Sequence, residues 1–149
     1  FQIRTSRQED CFLAARRLKP IVQWGWRAGD KFARVKIVTA ENKPRAAGHV
    51  LRALGIVRFS TIDALAPPTE IRSRLLRLRP QIIMGYPATL SAVAGGLKAA
   101  DRKDWNLKFV VTGGATVTDF MRQRIADGFS TSLFEIYAIE IPVSTGVAW

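Results

Sequence analysis

Short apolar stretches rich in Val and Ile recur along this chain, and segments with helical spacing separate them. That alternation restricts the fold more than any other feature. Phe32–Thr39, Ile56–Phe59, Gln81–Gly85, Leu107–Thr112 and Leu133–Tyr137 read as strands. Residues 1–5 alternate apolar and polar, as a half-buried strand does. Arg7 to Trp24 reads as a helix, with Phe12, Ala15, Leu18 and Val22 on one face and a break expected at Pro20. Further helices are expected over Pro44–Leu54, from Pro67-Pro68 to Pro80, from Tyr86 to about Lys103, and over Asp119–Gly128. Strand and helix in turn predict an α/β fold: a mostly parallel sheet with helices on both faces and right-handed crossovers.

Three details refine this expectation. Ile71, Leu75 and Leu78 share one face of the Pro67–Pro80 helix. Gly95-Gly96 falls inside the expected Tyr86–Lys103 helix, where each glycine costs about 1 kcal/mol relative to Ala, and close packing against a neighbour is one way to recover it. Trp24 and Trp26 stand in a turn and are expected to pack beneath it. The tail from Ile141 to Trp149 reads as a strand stub lacking a partner.

Composition narrows the function classes. The 149 residues include one cysteine, Cys11, and one histidine, His49. An internal disulfide is excluded, and a zinc site of Cys and His ligands nearly so. Cys11 reads as buried filler in a helix, and His49 lacks any nucleophile motif to serve. No apolar run approaches the roughly 20 residues that span a bilayer, so the expectation is a soluble, cytoplasmic chain without membrane partners. The chain starts at Phe1 without a leader-like segment, and a piece of a longer protein is expected.

The net charge is +11, from 23 basic and 12 acidic residues. Such a balance raises nucleic acid as a partner. The cations, however, are spread over every expected helix, and no zinc finger or RNA-binding aromatic signature accompanies them. A solvated, arginine-rich surface accounts for them more simply, and specific nucleic-acid binding is not expected. The same field favours an anionic substrate or cofactor.

Ligands of open α/β sheets sit at the carboxyl ends of the strands. Three such ends carry suggestive residues. Thr112-Gly113-Gly114-Ala115 leaves a strand through glycines that let the backbone approach a ligand, and Thr116 or Thr118 can cap the following helix. A diglycine turn serves loop geometry as well as ligand approach, and both readings stay open. It is not a dinucleotide fingerprint, since the third glycine is absent. Tyr137 offers a flat face for a purine, and Glu140 a carboxylate suited to Mg²⁺. A polar strand face with no ligand explains that pair equally well. Tyr86-Pro87 is either a turn with proline at the first helical position or the wall of a pocket.

Taken together, Arg79 to Leu90, Phe109 to Ala115 and Phe134 to Glu140 resemble the adenylate-forming (AMP-binding) enzymes. The nearest branch in appearance is phenylacetate–coenzyme A ligase with the related capsular polysaccharide biosynthesis proteins. Phe1 to Trp24 and Gly29-Asp30 resemble the part of that branch just downstream of its phosphate loop, and the resemblance covers roughly residues 1–140. It implies a fragment, residues 1–149, of the large N-terminal nucleotide-binding domain, without the phosphate loop and the small C-terminal domain. It also implies a two-step reaction: a carboxylate is adenylated by ATP and then passed to coenzyme A. By the same resemblance, Gly113, Gly114 and Ala115 line the adenine and acyl pocket, and Tyr137 flanks the adenine. Glu140 holds Mg²⁺, while Tyr86 and Pro87 border the carboxylate substrate.

The family pattern after the tyrosine is Gly, any residue, Thr or Ser, then Glu. Here Tyr137-Ala138-Ile139-Glu140 is one residue shorter and lacks the hydroxyl. A one-residue slip in a strand reverses the face a side chain takes, so the roles of Tyr137 and Glu140 conflict. Two alternatives follow: a non-catalytic descendant that keeps the scaffold for binding, and a basic nucleic-acid-binding α/β module. A truncated sheet leaves edges exposed, which favours homo-oligomers.

Overall fold

The computed structural model describes residues 19–38, 55, 58–141 and 144–148, and from residue 137 onward it describes the strand course alone. The expected strand at residues 1–5, most of the first expected helix and the helix expected over Pro44–Leu54 lie outside the described residues. Six strands line up in the order β2-β1-β3-β4-β5-β6. They are β1 (Lys31–Lys36), β2 (Arg58–Asp63), β3 (Ile82–Gly85), β4 (Phe109–Gly113), β5 (Ser132–Ile141) and β6 (Ser144–Ala148). The first five run parallel, and β6 lies antiparallel on β5. Among the described residues, besides the helical segment 19–23, the helices are α1 (Pro68–Leu78), α2 (Pro87–Ala94), α3 (Ala99–Arg102) and α4 (Asp119–Phe129).

Strand residues alternate between two apolar layers. Ala33, Val35, Ile62, Ile83 and Val110 face Ile71 and Leu75 of α1, Leu90 and Val93 of α2, and Ile125 and Phe129 of α4. On the other side of the sheet, Phe32, Ile82, Phe109 and Val111 meet Ile21 of the helical segment 19–23. Trp24 stacks on Phe134 there, with ring centroids 4.3 Å apart and planes 5° from parallel. The tryptophan turn is thus a lid on the second layer, as its composition suggested.

Helix ends follow local chemistry. Pro68 at the start of α1 needs no partner for an absent N–H. The helix stops at Arg79, which adopts φ 43° and gives its N–H to Leu75 O at 2.8 Å, and Pro80 prevents any extension. The face of Ile71, Leu75 and Leu78 is buried or partly buried, as its spacing requires.

Several boundaries differ from expectation, among them β1, which ends at Lys36, and β4, which begins at Phe109. The helix begun at Pro87 ends at Ala94 rather than near Lys103, and α3 is a separate short piece. Gly95-Gly96 is a turn that two arginines hold. The Arg124 side chain occupies the space a Cβ of Gly95 would need, and Arg72 Nη1 donates to Gly96 O. The glycines do serve close packing, but at a helix end instead of inside one. The expected strand Ile56–Phe59 is found at Arg58–Asp63, because Ile62 extends the buried row. The last parallel strand continues past Tyr137 to Ile141, and the tail supplies its partner β6, with Tyr137 opposite Ala148 and Ile141 opposite Ser144.

Leu75 is fully buried between α1 and the sheet. Leu75→Ala is expected to lower unfolding stability by about 2–5 kcal/mol, read as a lower urea midpoint with an unchanged slope.

Candidate functional site

The connections leave β1 and β3 in opposite directions: β2 lies to one side of β1, and β4 to the other side of β3. The carboxyl ends of β1 and β3 therefore flank a topological switch point, where open α/β sheets form a crevice. Tyr86 leaves β3 at this point. Pro87 restricts it to extended backbone, φ −73° and ψ 140°, and its carbonyl accepts the N–H of Leu90 at 2.9 Å to start α2. Pro87 itself is buried at the first helical position, so it acts here by fixing Tyr86.

The turn after β4 comes up against that tyrosine. Gly114 has φ 79°, a conformation glycine adopts without strain. A Cβ there would lie 3.2 Å from Tyr86 Cε1 and 3.4 Å from Cδ1, so the ring rests on the bare backbone. Gly113 is needed for a different reason: a Cβ would lie 2.9 Å from Ile136 O on β5. Ala115 is exposed beyond this contact. Thr118, one of the two threonines expected to cap α4, does so, its Oγ1 accepting the N–H of Met121 at 3.3 Å.

Thus Tyr86, Pro87, Gly113, Gly114 and Ala115 gather at adjacent strand ends. Tyr137 and Glu140 stand farther along β5. The last parallel pair is Gly113 with Ile136, so Tyr137 is the first residue beyond the parallel ladder. Glu140 pairs with Thr145 of β6. Three residues apart on one continuous strand, they occupy positions of opposite parity. Among the described residues no three His, Cys, Asp or Glu side chains gather as metal ligands.

Two features of this region were not read from the sequence. Thr112, between Gly85 and Glu135 in the register, is fully buried, and its hydroxyl has no hydrogen-bond partner among the described residues. Arg122 of α4 reaches β5, where its Nε donates to Glu135 Oε1 at 2.7 Å, and it also pairs with Asp119. The hydrogen bond and charge of Glu135, and then those of Asp119, raise the guanidinium pKa above its ordinary value. Stability linked to a raised cationic pKa is lost only as pH rises through that value. For an arginine that window lies above any working pH, so the guanidinium stays cationic. The Asp119–Arg122 spacing of three along a helix was a visible signal. The link from Arg122 to Glu135 requires the fold.

No family model and no curated protein matches the sequence. Solved structures do share its fold. A 2-hydroxyisobutyryl-CoA ligase, in complex with 2-HIB-AMP, superposes with a TM-score of 0.58 at 15% identity, covering 90% of this chain and 30% of that one. ATP-bound MatB from Rhodopseudomonas palustris gives 0.58 at 13% identity, over 91% of this chain and 26% of that one. A long-chain-fatty-acid-CoA ligase, FadD1 from Archaeoglobus fulgidus, gives 0.55 at 14%, over 85% and 27%. The chain therefore spans less than a third of the length of these structures. At such identities the likeness is one of fold: an α/β sheet matching part of these acyl-CoA ligases. Among the described residues no helix is long and apolar enough to cross a membrane.

A buried hydroxyl without a partner carries a desolvation penalty of about 1–3 kcal/mol. Thr112→Val keeps the shape and removes that group. It is expected to raise stability by about 1 kcal/mol, measured by denaturant unfolding.

Proposed function

We propose that this chain is a piece of the large domain of an ATP-dependent acid–coenzyme A ligase, from the phenylacetate–CoA ligase-like branch of the adenylate-forming enzymes. The observation that carries the reading is the packing of Tyr86 on Gly114 at the switch point, in a fold shared with acyl-CoA ligases. Two loops that the sequence reading assigned to one pocket meet there. The bare backbone of Gly114 seats the Tyr86 ring, which a side chain at that position would displace.

In this reading Gly113, Gly114 and Ala115 line the adenine and the acyl group, Tyr137 flanks the base, and Tyr86 and Pro87 border the carboxylate. Glu140 is the Mg²⁺ ligand, since a carboxylate is the hard oxygen donor such an ion takes. Bound ATP supplies an activated α-phosphorus, and Mg²⁺ offsets the charge on its phosphates. The chain's own residues position the partners: Pro87 fixes Tyr86, Gly114 seats the Tyr86 ring against the turn after β4, and the Arg122–Glu135 pair ties β5 to α4. Binding partners are then a small carboxylate and coenzyme A, and the setting is cytoplasmic. The shorter Tyr137–Glu140 spacing supports a second reading, a non-catalytic descendant that binds nucleotide without adenylating an acid.

Titration calorimetry with AMP tests the site. Saturable binding is expected, weakened about tenfold or more (about 1.4 kcal/mol) in Gly114→Val and in Tyr86→Leu, with folding checked by circular dichroism. Unchanged affinity in both folded variants would sink the assignment. Carboxylate-dependent exchange of pyrophosphate into ATP by the 149 residues alone is expected to stay at background, because the phosphate loop and a catalytic lysine are supplied elsewhere in this reading. Exchange above background would overturn the fragment reading while leaving the site intact.

A further inference from the structure

At the opposite, amino end of the sheet, a cleft of about 680 Å³ opens between the starts of β1 and β2 and the last turn of α1. Lys31, Arg58 and Arg77 line it, with Ser60, Phe59 and the backbone of Gly29 and Gly55. Lys31 and Arg58 are direct register partners on adjacent strands. Like charges placed opposite each other in a sheet repel, and Arg77 adds a third cation from α1. All three are exposed.

Little in the described structure balances them. Lys31 Nζ donates to Leu78 O at 3.4 Å, so part of its charge meets the carbonyl end of α1. That helix end is worth about half a negative charge, against three full positive ones. The carboxylate nearest in sequence, Asp30, is engaged elsewhere: its Oδ2 accepts from Lys108 Nζ at 2.8 Å and from Arg27 N at 2.7 Å. Glu70 lies in the first turn of α1 and pairs with Arg74. Among the described residues, the side chains of Arg58 and Arg77 have no hydrogen-bond or ion-pair partner, and no carboxylate lines the cleft.

We propose that this cleft is a second ligand site, separate from the carboxyl-end crevice, that takes a phosphate-class dianion. The donor set suits that chemistry. Two guanidinium groups offer forked N–H pairs matched to tetrahedral oxyanions, an ammonium adds a point charge, and the Ser60 hydroxyl adds a neutral donor. A dianion relieves the Lys31–Arg58 repulsion at the edge of the sheet, so binding stabilises the start of β2.

The test is calorimetric titration of the chain with inorganic phosphate, and then pyrophosphate, at constant ionic strength set with sodium chloride. One saturable site is expected. Arg58→Gln and Arg77→Gln should each weaken it at least fivefold. Arg74→Gln, on the same helix and paired with Glu70, should leave it within twofold, as should Tyr86→Leu at the other end of the sheet. Equal, unsaturable uptake by all variants would mean that only the general field of a +11 chain is at work, and would overturn the site. Loss of binding in Tyr86→Leu would assign the anion to the carboxyl-end crevice and overturn it as well, while leaving the proposal for that crevice standing.

Discussion

The close approach of β3 to β1 at Gly85 sets the geometry on which the rest of this sheet depends. A side chain at Gly85 would place its Cβ 3.0 Å from Val35 Cβ, 3.1 Å from Val35 O and 3.3 Å from Leu90 Cδ2. Val35 on one side and the Leu90 side chain of α2 on the other would have to shift to admit a side chain. The glycine therefore sits where the parallel ladder, the switch point and the start of α2 meet. From it, Tyr86 and Pro87 leave in a direction fixed by backbone alone, and their meeting with Gly114 follows. The helix layer shows the same economy farther out. A Cβ on Gly128 would lie 2.6 Å from both Ala94 Cβ and Ala94 O, so α4 lies directly against the end of α2. Arg102 then gives Nη1 to Asp127 O and Gly128 O at 2.8 and 2.9 Å, placing a cation on the carbonyl end of α4.

That placement explains a good part of the basic composition. Arg72 and Arg102 donate to helix-end or loop carbonyls of α2 and α4, and Arg79 donates to Lys103 O at 2.8 Å. Arg124 covers Gly95 and lies over the Phe120 ring, 5.6 Å from its centroid and within the roughly 6 Å reach of such a contact. Arg72, Arg79 and Arg102 work as neutral-carbonyl clamps that carry a charge as a by-product. A sequence count cannot separate them from ligand-binding cations, which is why the +11 balance pointed weakly in several directions. Lys31, Arg58 and Arg77 differ, because the described structure leaves two of the three without carbonyl or carboxylate.

The parts of the fold legible in advance were those written in short-range chemistry. Val and Ile runs marked the buried strands, Pro68 and Pro87 marked helix starts, and Pro80 marked an end. For Gly95-Gly96 the sequence pointed to close packing but not to the turn, nor to the partners that make the contact. Gly95-Gly96 was read inside a helix because its neighbours in sequence favour one, whereas the deciding partners, Arg72 and Arg124, come from α1 and α4. The same limit applies at the crevice. Tyr86 and Gly114 could be named separately, but their packing needs the β3–β4 register, in which Gly85 stands beside Thr112. Thr112 itself read as one more residue of a strand, and its buried, unpaired hydroxyl is a property of what surrounds it.

The two halves of β5 show where a linear motif and a fold part company. Ser132 to Ile136 belong to the parallel ladder, and Arg122 ties Glu135 to α4 at the end of that stretch. Among the described residues, Tyr137 to Ile141 leave the ladder and pair with β6. Tyr137 and Glu140 thus fall in the antiparallel pairing with β6 rather than in the parallel ladder. Edge pairing of this kind tolerates insertions and deletions better than the interior of a parallel sheet, since no second neighbour has to follow a change of register. A change of spacing between Tyr137 and Glu140 would therefore fall outside the parallel ladder that positions Tyr86 and Gly114. The scaffold can keep Tyr86 against Gly114 whether or not the tyrosine–glutamate spacing still serves chemistry.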